Sequence, residues 1–93
     1  MNISVSELLS LNNPNIIDIR PTQNYNNNHI PGAINIPYNN LLINPNKYLN
    51  KNDKYYIYCK HGKTSEGLCR ALKTQGYDVY SVIGGYEAWM LNQ

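Results

Sequence analysis

Residues 54–72 read KYYIYCKHGKTSEGLCRAL, and the change of period inside this stretch decides the fold. Lys54 to Tyr58 is a run of aromatic and β-branched residues, too short for a helix, and predicts a strand. From Ser65 onward the apolar positions Leu68, Cys69 and Leu72 recur on one helix face, and Gly76 stands where a C-terminal cap belongs. A strand that passes through a short loop into a helix begins a parallel crossover, because antiparallel neighbours need only a hairpin.

The flanking segments continue the pattern. Downstream, YDVYSVI (residues 77–83) reads as a strand, Gly84-Gly85 as a turn, and Tyr86 to Leu91 as a final amphipathic turn or two with Trp89 and Met90 apolar. Trp89 is expected to cover one end of the sheet. Upstream, NIIDI (15–19) is a β-branched apolar run between Asn/Pro punctuation and predicts a buried strand. Before it, Ser4 and Glu7 have the spacing of a capping box, which predicts a short helix from Val5 to Leu11 after a brief β segment. The intervening RPTQNYNNNHIPGAINIP reads as loop with one helical turn after Pro21 and a short strand at Ala33 to Ile36. A weak helix at Asn40 to Ile43 and an irregular Asn/Pro-rich segment lead to the turn at Asn52-Asp53. The expected class is α/β: a small parallel sheet of four to five strands, joined by right-handed crossovers, with helices on both faces.

Composition narrows the function classes. With 93 residues, residues 1–93 are expected to form one domain. The apolar fraction of 42% suffices for one modest core, and with only 15% charged residues the 16 Asn supply much of the polar surface. A net charge of +2, without a basic cluster, gives no footprint for nucleic acid or a membrane surface. No apolar run approaches a membrane span, and the first residues resemble no leader, so a cytoplasmic setting with reduced thiols is expected.

The loop after the 54–58 strand carries the chemistry, since open parallel sheets bind ligands at the carboxyl ends of their strands. Its GKTS resembles the end of a phosphate-binding GxxxxGK[ST] loop, but the first glycine of that pattern would fall at Ile57, inside the strand. A cysteine phosphatase loop would need an arginine where Ser65 stands. Cys59, His61, Cys69 and His29 lack zinc spacing, so no metal is expected; His61 reads as a loop donor and His29 as a turn residue with a hydrogen-bonded ring. What remains is a nucleophilic thiol at Cys59. An ordinary cysteine has a pKa of about 8.5, and a working nucleophile needs a downward shift of about two units, or about 2.7 kcal/mol. A helix N-terminus supplies about 0.3–1 kcal/mol of that. The remainder is expected from the cations Lys60 and Lys63, from backbone N–H groups turned inward around Gly62, and from the Thr64 and Ser65 hydroxyls.

Three motifs in order resemble the rhodanese-like sulfurtransferase family. CKHGKT (59–64) is similar to its six-residue active loop, IIDIRPTQNYNNNHIPGAINIP to its Asp-x-Arg strand and His-Ile-Pro-Gly-Ala segment, and GYDVYSVIGGYEAW to its last strand, Gly-Gly turn and aromatic end. Thr64 and Ser65 stand where many members carry arginine, as in the shorter single-domain thiosulfate sulfurtransferases, and Asn28 stands where glycine is common. The resemblance implies a persulfide cycle: Cys59 takes sulfane sulfur from thiosulfate or a related small anionic donor and passes it to a thiol or cyanide, with no cofactor. Lys60, His61, Gly62, Lys63, Thr64 and Ser65 then form the donor-binding loop. An alternative of a different class is a carrier or docking module that exchanges sulfur with a persulfide-bearing partner protein. Cys69 is expected to pack in the core, with a resolving thiol as its other possible role. Asp18 and Arg20 are expected to form an ion pair, with anion contact as the alternative for Arg20.

Overall fold

The structure, a computed structural model, describes residues 1–93. Five strands form one sheet: β1 (Asn2–Ile3), β2 (Asn15–Asp18), β3 (Ile34–Asn35), β4 (Lys54–Tyr58) and β5 (Asp78–Val82), in the order β1-β5-β4-β2-β3. Every pairing is parallel, and β5, β4 and β2 are the three interior strands, with β1 and β3, of two residues each, at the edges. The helices are α1 (Val5–Leu9), α2 (Thr22–Asn27), α3 (Tyr38–Ile43), α4 (Pro45–Tyr48), α5 (Lys63–Thr74) and α6 (Gly85–Leu91).

Because successive strand residues point to opposite faces, the sheet feeds two cores. Ile17, Ile57 and Val79 face Leu41 of α3 and Leu68, Cys69 and Leu72 of α5, and Leu49 after α4 joins them. Ile16, Tyr58 and Val82 face Val5 and Leu8 of α1 and Trp89 of α6. Helices therefore cover both faces, as the α/β reading requires, and Trp89 packs within the second core.

Local chemistry sets the boundaries. Ser4 accepts from the Glu7 N–H and Glu7 accepts from the Ser4 N–H, both at 3.0 Å, closing the expected capping box of α1. That helix stops at Leu9, earlier than the periodicity predicts, with Leu11 exposed beyond it. The 22–27 segment makes a six-residue helix, longer than the single turn expected, α3 begins at Tyr38, and α4 forms where irregular chain was expected. No helix is long and apolar enough to cross a membrane.

Four buried polar residues, Asp18, Arg20, Ser65 and Ser81, gather toward the loop after β4. No buried side-chain nitrogen or oxygen lacks a hydrogen-bond partner, so this cluster is fully paired.

Candidate active site

Cys59 follows β4 directly, and its side chain is 7% exposed. The chain turns sharply over the next three residues and enters α5 at Lys63, two residues before the expected start. Gly62 makes this possible. Its φ is +105°, and a Cβ there would lie 2.9 Å from the Gly84 nitrogen, so only glycine lets the loop nest against the following turn.

The turn aims donors at one atom. The N–H of Gly62 donates to Cys59 Sγ at 3.1 Å and that of Ser65 at 3.3 Å, while Ser65 Oγ stands 3.4 Å from the sulfur. Burial alone would raise the thiol pKa, but the Ser65 hydroxyl and the N–H groups of Ser65, Gly62 and His61 outweigh it and hold Cys59 below the ordinary thiol value. An anion at this sulfur is thus stabilised by a nest of fixed dipoles at the start of a twelve-residue helix.

A second helix fixes the loop from outside. The N–H of Tyr86 donates to the Cys59 carbonyl at 2.8 Å and that of Glu87 to the Lys60 carbonyl at 3.1 Å, so the first turn of α6 grips the loop backbone. Gly85 permits this approach: at φ +59° any side chain would run into the Cys59 carbonyl oxygen. On the surface, His61 Nδ1 meets Glu87 Oε1 at 2.6 Å and ties loop to helix again.

Beside the loop, at the end of β2, lies a buried ion pair. The Arg20 guanidinium binds both Asp18 oxygens through Nε at 3.1 Å and one through Nη2 at 2.8 Å, and also donates to the Asn28 carbonyl. Tyr58 donates to Asp18 Oδ2 at 2.6 Å, and burial together with that carboxylate raises the phenol's pKa. The guanidinium also lies 3.9 Å from the centroid of the Tyr86 ring. Arg20 is therefore a structural cation bracing α6, committed to partners within the fold.

The family model of the rhodanese-like domain matches residues 3–92. This chain belongs to the rhodanese-like domain family. Among curated relatives, "Putative sulfur carrier protein YrkF" of Bacillus subtilis is 40% identical over 76 residues, which cover 81% of this chain and 40% of that protein. "Adenylyltransferase and sulfurtransferase uba4" of Ogataea parapolymorpha is 33% identical over 88 residues, 94% of this chain and 23% of that protein. The chain thus spans less than half the length of either. Among solved structures, SSP1007 of Staphylococcus saprophyticus superposes with a TM-score of 0.84 at 35% identity, over 95% of this chain and 91% of the other. A rhodanese-like domain protein of Staphylococcus aureus gives 0.83 at 34% identity, over 96% and 91%.

Within this rhodanese-like loop the expected residues divide into two groups. Gly62, Ser65 and the His61 backbone converge on the sulfur, whereas Thr64 is exposed and its hydroxyl makes no bond to it. The lysines require a correction. Both are exposed and neither contributes to the lowered Cys59 pKa: Lys60 lies in a recess with Tyr86, Met90 and Leu91, and Lys63 lines a hollow of about 180 Å³ with Asn2, Glu66 and Ile83. They flank the loop on two sides. Cys69 faces the core, where burial pushes its thiol up to about 12. His29 hydrogen-bonds the Tyr25 carbonyl through Nδ1 at 2.8 Å and stacks on the Tyr25 ring, consistent with a turn residue. Sequence reasoning missed Ser81, which sits in a strand that reads as apolar, 2.7 Å from Ser65 Oγ.

Proposed function

We propose that this chain is a sulfurtransferase that carries sulfane sulfur as a persulfide on Cys59, with thiosulfate or a related small anion as donor and a thiol or cyanide as acceptor. The observation carrying this reading is the nest around Cys59 Sγ, which stabilises the thiolate relative to that of an ordinary cysteine at a sulfur that is buried on most sides. Family membership and the sulfur-handling names of both relatives support it. Residues 1–93 act as one domain in this scheme, in a reducing cytoplasmic setting that keeps both thiols free.

The steps of this reading are a double displacement at sulfur. The Cys59 thiolate attacks the outer sulfur of thiosulfate; a new S–S bond forms, the donor S–S bond breaks, and its electron pair leaves with sulfite. The resulting persulfide is an anion, and the same N–H donors that hold the thiolate hold it. An acceptor thiolate then attacks the outer sulfur, forming its own persulfide and returning Cys59 to the thiolate. Charge and electrons balance among sulfur atoms alone, so this chemistry asks for no cofactor, and the covalent intermediate predicts ping-pong kinetics. Lys60 and Lys63 attract the anionic donor, while His61, Gly62, Lys63, Thr64 and Ser65 frame its approach.

Incubation with thiosulfate followed by intact mass measurement should add one sulfur to the wild type and none to Cys59→Ser. Failure of the wild type to gain sulfur from thiosulfate, polysulfide or glutathione persulfide overturns the reading. A sulfur carrier serving a partner protein is the second reading, favoured by the relative named for that role and by the exposed Met90 and Leu91 beside Lys60. The two separate on turnover: many cycles with thiosulfate and cyanide mark the enzyme, and a single loading without release to small acceptors marks the carrier.

A further inference from the structure

The hydroxyl of Ser65 has one proton and three neighbours. Its Oγ lies 3.4 Å from Cys59 Sγ, 3.1 Å from the Gly62 carbonyl and 2.7 Å from Ser81 Oγ. A serine hydroxyl donates once and accepts twice, and a carbonyl only accepts. Ser81 is 2% exposed, and Ser65 is the one hydrogen-bond partner of its hydroxyl. Were Ser65 to donate to Ser81, the Ser81 proton would have no acceptor within the protein and the sulfur would lose its hydroxyl donor. The reverse direction satisfies every group.

We propose that Ser81 is a positioning residue for the Cys59 sulfur, acting through Ser65: its hydroxyl donates to Ser65 Oγ and so leaves the single Ser65 proton to serve the sulfur. This rests on Cys59 being the nucleophile. In the thiol state the S–H donates to Ser65, Ser65 donates to the Gly62 carbonyl, and Ser81 fills the remaining lone pair. On ionisation the Ser65 proton swings from that carbonyl to the thiolate. The Gly62 carbonyl keeps the N–H of Glu66 at 3.0 Å, so nothing buried is orphaned. Ser81 stays fixed as donor in both states. Strand register brings it there: Ser81 pairs with Ile57, two residues before Cys59 on the neighbouring strand.

The test is the pH midpoint of Cys59 alkylation by iodoacetamide, read by peptide mapping in the wild type, Ser65→Ala, Ser81→Ala and the double variant. Ser81→Ala should raise the midpoint by about half a unit, a roughly threefold loss of thiolate at neutral pH, and Ser65→Ala by at least as much. The double variant should match Ser65→Ala, because Ser81 has no route to the sulfur except through Ser65. The isosteric pair Ser81→Thr and Ser81→Val guards against a packing defect, with the midpoint of the valine variant above that of the threonine variant. Equal midpoints in wild type and Ser81→Ala, additive shifts in the double variant, or equal Thr and Val midpoints overturn the proposal. Sulfur uptake by the wild type, measured alongside, tests the nucleophile reading separately: its absence removes that reading, while the alkylation series still reports on Ser81.

Discussion

Cys59 and Cys69 are ten residues apart in sequence and lie in the same hydrophobic core, yet their environments push their thiols in opposite directions. The nest lowers Cys59, so the stability it adds is present above the ordinary thiol range and fades as pH falls through the depressed folded value. Cys69 is raised, so its contribution is present below the ordinary value and is lost as pH climbs toward about 12. Iodoacetamide at neutral pH should therefore label Cys59 in the folded protein and leave Cys69 unlabelled until urea unfolds the chain; comparable labelling of both under native conditions contradicts this placement. Because both lysines are exposed and neither is among the groups that lower Cys59, Lys60→Ala with Lys63→Ala should move the Cys59 alkylation midpoint by less than about half a unit while raising KM for thiosulfate, since exposed cations are screened over about 8–10 Å. The place of Cys59 was legible in the sequence because a cysteine at a strand end is a local feature. Ser81 was not, because its partnership with Ser65 is made by strand register across sixteen residues of chain.

Prolines were the main source of misread elements. Pro21 reads as the start of a single helical turn and heads the six-residue α2, whereas Pro37 and Pro45 look like loop punctuation yet stand at the N-cap of α3 and at the opening of α4. Proline supplies a helix-ready φ where no N–H partner is needed, so it starts short helices as readily as it ends long ones. The α5 periodicity and the α1 capping box were legible because each pairs residues three or four apart. At α6 the decisive contact is between its first turn and the Cys59–Lys60 backbone. Gly85→Ala should cost about 1–3 kcal/mol from its left-handed backbone alone, and the clash with the Cys59 carbonyl should displace the loop and slow sulfur loading by about tenfold or more. Urea unfolding and rapid-quench mass measurement check the two parts; normal loading in a destabilised variant removes α6 from control of the sulfur.

Across the whole molecule, the Asp18–Arg20–Tyr58 cluster links β2, β4 and, through the Tyr86 ring, α6. Asp18 is fully buried, and Asp18→Ala would leave a buried guanidinium without its counter-charge. A loss of about 3–5 kcal/mol in urea unfolding is expected, with part of it recovered when Arg20→Met accompanies the change. The Asp-x-Arg spacing made this pair readable in advance; the cation–π contact with Tyr86 was not, because it joins segments sixty-six residues apart. The grip of α6 on the loop also has a consequence in time. Synthesis runs from the N-terminus, so Cys59 is made well before Ser81, Tyr86 and Glu87. Until those residues arrive, the loop carbonyls are unheld and the Ser65 hydroxyl lacks its neighbour. A nascent chain in which residues 81–87 have not yet been made therefore presents Cys59 without the contacts that hold its loop, and the sulfur's surroundings are complete only once that stretch is in place.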